Sequence, residues 1–397
     1  MTPLPTPTDP TQLSLLALFL KFLRFGALAF GGPVAQIAMI RHALVDQERW
    51  IDSARFNRLL AVLQVLPGPE AHELCVHLGM IARGRIGGLL AGLGFMLPGL
   101  ILMLLAGWLY VAWIAGHAGL TDVLLGVQIA VLAIILRAMV RIGQHIIEDR
   151  LLAVIAVASL LATLAGVPFW IPLAAGGLAY AAAQRPLLAA AVLVAAVGMT
   201  LVAQQFEAPV ADAVAVADAP ITLLALFIAG LKGGLLTFGG AYTAIPYVRA
   251  DTVGRGWIDD ATFLDGIALA GVLPAPLVIF ATFVGYVVGG PAGALAVTAG
   301  MFLPAFAFSL IFFERLEAVV ENPALHRLLA GVAAAVVGVI AATFVQLGEV
   351  TAARVANPLP AILLFAAALA IVWQVKGAWV TPAIIAAAAL IGWLLAL

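Results

Sequence analysis

The chain has 397 residues, 64% of them hydrophobic and 10% charged, with a formal net charge of −1. Soluble domains carry roughly 25% charged residues, so this is the composition of an integral membrane protein, and with no basic block or acidic tail it points to no nucleic-acid partner. One cysteine, Cys75, excludes an intrachain disulfide and any CxxC metal or redox centre.

In chain order, residues 1–12 begin MTPLPTPTDP, which lacks the positive region of a signal peptide and reads as a short disordered lead. A first unit covers 13–203. Its first helix is expected at 13–30, interrupted by Gly31-Gly32-Pro33, and a charged stretch follows at 41–58. Two short apolar pieces, 59–66 and 70–82, flank Pro67-Gly68-Pro69. Neither reaches the ~20 residues a spanning helix needs, so together they read as a re-entrant hairpin or one broken span. Helices are then expected at 86–115, 122–143, 151–166, 168–183 and 186–203. The polar segment 204–219 is a linker to a second unit, 220–397. That unit repeats the order: a helix at 220–238, a polar stretch at 249–260, broken pieces at 261–273 and 277–288, and helices at 291–313, 325–346, 358–375 and 378–396. The first unit therefore holds one more helix than the second.

The repetition is also literal. Phe30-Gly31-Gly32 returns as Phe238-Gly239-Gly240 at an offset of 208, and Trp50-Ile51-Asp52 as Trp257-Ile258-Asp259 at 207. Leu66-Pro67-Gly68-Pro69 returns as Leu273-Pro274-Ala275-Pro276 at 207, and Leu97-Pro98 as Leu303-Pro304 at 206. Duplicated units with Gly/Pro-interrupted apolar segments at matching positions mark the binding site of a secondary transporter. Arginines cluster at 41–58 and at Arg83 and Arg85, whereas in the second unit they follow the 291–313 helix as Arg315 and Arg327. Under the positive-inside rule the two units then have opposite orientation. The expected fold class is an all-α integral membrane protein: two homologous units in inverted topology, with broken or re-entrant helices.

Breaks inside apolar helices free backbone groups that lipid cannot satisfy, and free amides at a half-helix start favour anions. Candidate anion-binding positions are therefore Gly31, Gly32, Pro67, Gly68 and Pro69, with Gly239, Gly240, Pro274 and Pro276 in the second unit. Ordinary kinking is the alternative. Arg24 and Lys232 occupy matching places before the breaks; they either snorkel to headgroups or serve as opposed cations for a divalent oxyanion. Gln36, Gln64, Thr237 and Tyr242 offer further donors, though each alone also suits helix–helix hydrogen bonding. Glu70, His72 and Glu73 follow the first Pro-Gly-Pro and have no charged counterpart at 277–284. Intramembrane carboxylates point to proton coupling, with N-terminal capping as the rival role for Glu70. His72 and His77 diverge by about 140° on a helix, so no HExxH-type metal site is read. Trp50 and Trp257 are expected as interfacial anchors, and Gly88–Gly92 and Gly289–Gly293 as packing motifs.

The segments FGGPVAQIAMI (30–40), LPGPEAHEL (66–74), GGLLAGLGFMLPG (87–99), TFGGAYTAIPY (237–247), LPAPLVIFATFVGY (273–286) and GMFLPAF (300–306) resemble the chromate transporter family in its long two-unit form. The resemblance implies a multi-pass carrier of the bacterial-type cytoplasmic membrane that exports chromate by secondary transport, confers chromate resistance and treats sulfate as a similar ligand. It departs at Ala275, which replaces the glycine of the second Pro-Gly-Pro; alanine tolerates positive φ poorly. No GxxxxGK[ST] occurs, so ATP is not the energy source and no cofactor is expected. The partners expected are chromate or sulfate and the lipid bilayer, with a homodimer compatible. A sulfate or other oxyanion transporter, a gated anion channel, and an intramembrane enzyme acting on lipid phosphates are the rival readings. The last finds no HExxH or GxSxG motif to support it.

Overall fold

The computed structural model describes residues 10–30, 32–63, 66–114, 120–185, 221–237, 241–311, 323–375 and 379–395, with Gly377 and scattered positions between 187 and 198. All regular structure among the described residues is helical. The first unit contains α1 (Leu15–Ala27), α2 (Gly32–Arg41), α3 (Ser53–Leu63), α4 (Glu70–Leu109, prolonged by a π-helical turn, Tyr110–Ile114), α5 (Thr121–Ile146), α6 (Arg150–Leu164) and α7 (Trp170–Ala181). The second unit repeats them in order as α8 (Leu223–Leu235), α9 (Ala244–Thr252), α10 (Asp260–Val272), α11 (Phe280–Ile311), α12 (Pro323–Arg354), α13 (Pro358–Gln374) and α14 (Val380–Leu395). Helical residues between 187 and 198 lie where the first unit's additional helix is expected. The linker at 204–219 lies outside the described residues.

Matching caps set matching helix starts. Ser14 accepts from the Ala17 amide at 3.1 Å and Thr222 from Ala225 at 3.1 Å. Asp52 accepts from Arg55 at 2.8 Å and Asp259 from Thr262 at 2.8 Å. Asp149 accepts from Leu152 at 2.8 Å, and its counterpart Asn357 from Leu359 at 3.3 Å. Each supplies an acceptor to an amide that has none within its helix. The repeated Trp-Ile-Asp is thus a capping signal, which is why α3 starts at Ser53, earlier than its apolar run.

Within α4 the backbone turns sharply at Arg83 (φ −140, ψ 32) and Gly84 (φ 61, ψ −157), and α11 does so at Gly289 (φ −135, ψ 20) and Gly290 (φ 62, ψ −159). The limbs on either side of each corner fold back on one another. A methyl placed on Gly79 would lie 2.5 Å from Ala91 Cβ, and one on Gly92 2.7 Å from Val76 Cγ2. In α11, Gly285 meets Gly293 backbone at 2.6 Å by the same construction, and the Thr282 and Thr298 hydroxyls share a hydrogen bond of 2.6 Å. Both elements are therefore helical hairpins. The first limb of α4, residues 70–82, is about 20 Å long at 1.5 Å per residue, short of the roughly 30 Å hydrocarbon layer. Gly289 belongs to the corner and also packs on α8, since a methyl there would lie 2.9 Å from Leu226 Cδ1.

Small residues let helix backbones touch. α1 packs on α4 through Gly26 and Gly94, and α8 on α11 through the equivalent Gly234 and Gly300. The last helix pair of each unit crosses to the other unit: α6 and α7 pack on α12, and α13 and α14 on α5. Glycine pairs close these contacts, Gly176 on Gly331 and Gly126 on Gly392. Large apolar side chains that point outward, among them Leu16, Leu93, Ile101, Val154, Leu161, Ile362 and Leu390, are exposed. Together with the long apolar helices at Asp122–Ile146 and Arg327–Arg354, they make this a multi-pass membrane protein.

Two expectations are corrected here. The lead segment is not disordered as far as residue 12: Pro10–Gln12 form a 3₁₀ turn, and Arg83 Nη1 donates to the carbonyls of Thr11 at 3.4 Å and Leu13 at 2.8 Å. Trp50 is not an interfacial anchor but a core residue, 6% exposed, lying under the Lys21 ammonium and donating to Glu48 Oε2 at 2.9 Å.

Candidate functional site

The breaks of the two units meet. The Gly68 amide donates to the Thr237 carbonyl at 2.8 Å. The pseudo-symmetric counterparts of these residues are Ala275 and Ala29, and Gln36 Nε2 bridges their carbonyls at 2.9 and 2.8 Å. Each Pro-x-Pro corner is thus tied to the chain break that follows the first helix of the other unit. Ala29, Pro67, Gly68, Pro69, Thr237, Pro274, Ala275 and Pro276 are all buried. None of these corners faces lipid.

The departure at Ala275 has a steric counterpart. Gly68 has φ +151, and a methyl there would lie 3.1 Å from Ala305 Cβ and 2.6 Å from Glu73 Oε1. Ala275 lacks positive φ, and its methyl faces Gly99, where a Cβ would stand 2.3 Å away. One corner therefore pairs Gly68 with Ala305, and the other pairs Ala275 with Gly99. The second corner needs no glycine because the bulk has moved across the contact.

Pro69 and Pro276 sit at the N-caps of α4 and of the 3₁₀ turn Leu277–Ile279. In α4 the amides of His72 and Glu73 turn back to the Pro69 carbonyl, at 2.8 and 3.1 Å. Those of Glu70 and Ala71 have no acceptor within the helix. Behind them lie His72 and Glu73, both fully buried. Neither carboxyl oxygen of Glu73 has a hydrogen-bond partner among the described residues, Gln36 Oε1 is likewise unpaired, and the His72 ring has at most the Gly92 backbone to bond. His72 lies edge-on between Phe302 and Phe306 of α11, with ring centroids 5.0 and 4.7 Å away. Unpaired buried polar groups cost roughly 1–3 kcal/mol each. A cluster of them at the junction of four breaks marks a place built for something other than packing.

The remaining expected residues divide. Thr237 is buried, and its hydroxyl donates to the Gly233 carbonyl one turn earlier. Tyr242 lies half-buried in the 3₁₀ turn Ala241–Thr243, and Gly32 and Pro33 open α2. Gly31, Gln64, Gly239 and Gly240 lie outside the described residues. The opposed cations do not face the corners. Arg24 is exposed, and Lys232 spends its charge on Asp251 at 3.1 Å with 43% of its side chain accessible. The distance along the chain placed both near the breaks; the helical phase turns them away. Lys21, one turn before Arg24, is ion-paired with Glu48.

Some polar residues here escaped the sequence reading. Asp265 is buried and accepts from Tyr110 at 2.8 Å and Gln128 at 2.7 Å, and Arg354 donates to Gln128 at 2.8 Å, linking α4, α5, α10 and α12. Arg249 forms two bonds to Asp260 at 2.6 and 2.9 Å and a third to Gln346 at 2.7 Å. Its counterpart Arg41 donates to Ser53 at 2.9 Å. Arg137, on α5, is half-buried and makes no hydrogen bond or ion pair with the described residues. The signal available in the sequence was polarity inside a spanning segment; Gln128 and Arg137 satisfy it.

The family model described as "Chromate transporter" matches residues 16–181 and 224–393, one segment for each unit. The chain belongs to the chromate transporter family. It is 58% identical over 392 residues, 98% of this chain and 94% of the relative, to a protein of Pseudomonas aeruginosa named "Chromate transport protein". A "Chromate transport protein" of Cupriavidus metallidurans is 32% identical, covering 97% of this chain and 94% of its own length. A "Probable chromate transport protein" of Synechococcus elongatus is 29% identical over 96% of this chain. No solved structure matches the chain. The family is one of transporters, not enzymes, and its two-segment match coincides with the two structural units.

Proposed function

We propose that this protein is a secondary carrier that exports chromate, a tetrahedral divalent oxyanion, across the cytoplasmic membrane and so confers chromate resistance. The observation that carries this reading is the buried junction of the four chain breaks, where Gln36, His72 and Glu73 hold unpaired polar atoms, in a chain 58% identical along nearly its whole length to a protein named for chromate transport. The anion binds at the junction. The free amides at the start of α4 and α2 and the hydroxyl of Tyr242 hold its oxygens. Gln36 and Thr237 tie the breaks together through bonds they already make, and Gly31, Gln64, Gly239 and Gly240 belong to the same breaks by their place in the sequence. Glu70, His72 and Glu73 exchange protons in step with it.

In this reading the units are inverted, and the first limbs of α4 and α11 enter the membrane without crossing it. The unequal distribution of arginine supports the inversion, and the limb of about 20 Å supports the half-entry. Leaving an inside-negative cell stabilises a dianion by about 2.3 kcal/mol per charge per 100 mV, so voltage alone can drive export and protons can add to it. Sulfate, an anion of the same shape and charge, is accepted by the same geometry.

Purified protein in liposomes, given imposed voltage and pH gradients, should accumulate labelled chromate with saturation. Glu70→Gln or Glu73→Gln should flatten its dependence on pH. Wild-type liposomes that retain no more chromate than protein-free ones would end the carrier reading. A pH profile unaltered in both variants would end only the proton role.

A further inference from the structure

With Arg24 exposed and Lys232 engaged, the site described above has no fixed positive charge among the described residues, and a dianion in a low-dielectric interior needs one. We infer that Arg137 of α5 supplies it, acting with the hydroxyl of Tyr242 as a two-donor clamp for the oxyanion at the second chain break. This rests on the carrier reading and names a residue within it.

Three observations converge on the pair. Arg137 lies well inside the spanning helix Asp122–Ile146, nine residues before its end, where an unpaired cation is costly and by default functional. It is half-buried and unpaired, whereas the comparable Arg249, Arg255 and Arg354 are committed to Asp260, Asp251 and Gln128. Arg137 is also a charged side chain whose field reaches Tyr242. Tyr242 lies two residues after the second Gly-Gly, and its turn packs against α5, α12 and the residues that open α11. Its hydroxyl has no hydrogen-bond partner among the described residues. A guanidinium presents parallel N–H groups that match two oxygens of a tetrahedral oxyanion, and a phenol adds a third donor. The alternative for an arginine at this depth is snorkelling to headgroups. It is disfavoured here because α5 is enclosed by α10, α12, α13 and α14, and the turn that holds Tyr242 packs on it.

The test uses full-length protein in liposomes with chromate as the probe. Arg137→Gln should raise the KM for chromate at least tenfold, Arg137→Lys should recover much of that loss, and Tyr242→Phe should raise KM a few-fold. In wild-type protein, chromate should protect Arg137 from modification by phenylglyoxal, read by peptide mass mapping, which keeps the question answerable if Arg137→Gln fails to insert. A KM within twofold of wild type in Arg137→Gln, or equal modification of Arg137 with and without chromate, would overturn the clamp. Normal wild-type chromate uptake alongside either result would confine the failure to this assignment, whereas absent uptake would remove the carrier reading as well.

Discussion

At the scale of single residues, the two corners show how a duplicated structure diverges without losing shape. Gly68 faces Ala305, and Ala275 faces Gly99, so each contact holds one methyl, contributed from opposite sides. Gly99→Ala would put two methyls in a space with a 2.3 Å approach, and overpacking of this kind costs about 1–3 kcal/mol. Adding Ala275→Gly should restore most of it, because the double variant reproduces the arrangement at the other corner. Thermal unfolding of the single and double variants in detergent measures the coupling; losses that simply add would show that the two residues do not meet. Much of this site was legible beforehand. The breaks, the prolines and the Glu/His patch all announce themselves by being wrong for a lipid-facing helix. The orientation of Arg24 and Lys232 was not legible, because a position counted along a chain does not say which way a side chain turns. The pairing of Lys232 with Asp251 depends on how α8 meets α9, which no local pattern encodes.

At the scale of elements, each hairpin turns on one glycine. Gly84 and Gly290 have φ near +60 with ψ near −158 in both copies, at 61, −157 and 62, −159, a region populated almost only by glycine. Nothing lies within 4 Å of a methyl at either position, so alanine there would be strained by the backbone alone. Gly84→Ala and Gly290→Ala should each destabilise the protein by about 1–3 kcal/mol, seen as a lower unfolding midpoint. A midpoint unchanged in both would mean that the limbs are not folded back. The sequence reading ended one piece at 82 and began the next at 86, but it paired 70–82 with 59–66 on length; the structure instead folds 70–82 back on the limb that follows Gly84. It expected half-helices to start after the Gly-Gly breaks, where α2 and α9 lie, but gave them no extent, since short amphiphilic turns carry little periodicity. Nor did it foresee the full length of α12, which runs to Arg354 where that residue reaches Gln128.

At the scale of the whole molecule, the two units are interlocked. α5 is covered by α13 and α14 of the second unit, and α12 by α6 and α7 of the first. Fragments divided within 204–219 and produced together should therefore assemble, and an affinity tag on one should recover both in near-equal amounts; recovery of the tagged fragment alone would contradict the exchange. Replacing Gly126 or Gly331 by leucine should weaken that assembly, because each backbone lies against the other unit's glycine. The duplication was readable from repeated motifs, but the exchange was not, since the packing helices are Ala/Leu/Val-rich and carry no specific signal of their neighbours.

The crossing of α13 and α14 onto α5 has a temporal side. α5 leaves the ribosome early, while the helices that shield it are the last to be made; at about 5–20 residues per second, the delay is on the order of tens of seconds. During that wait its glycine-lined flank stands open to lipid and to any passing helix. Newborn chains should accordingly be most vulnerable to membrane quality control after half-synthesis, and loss of only the closing segment should send the amino-terminal half to degradation along with the rest.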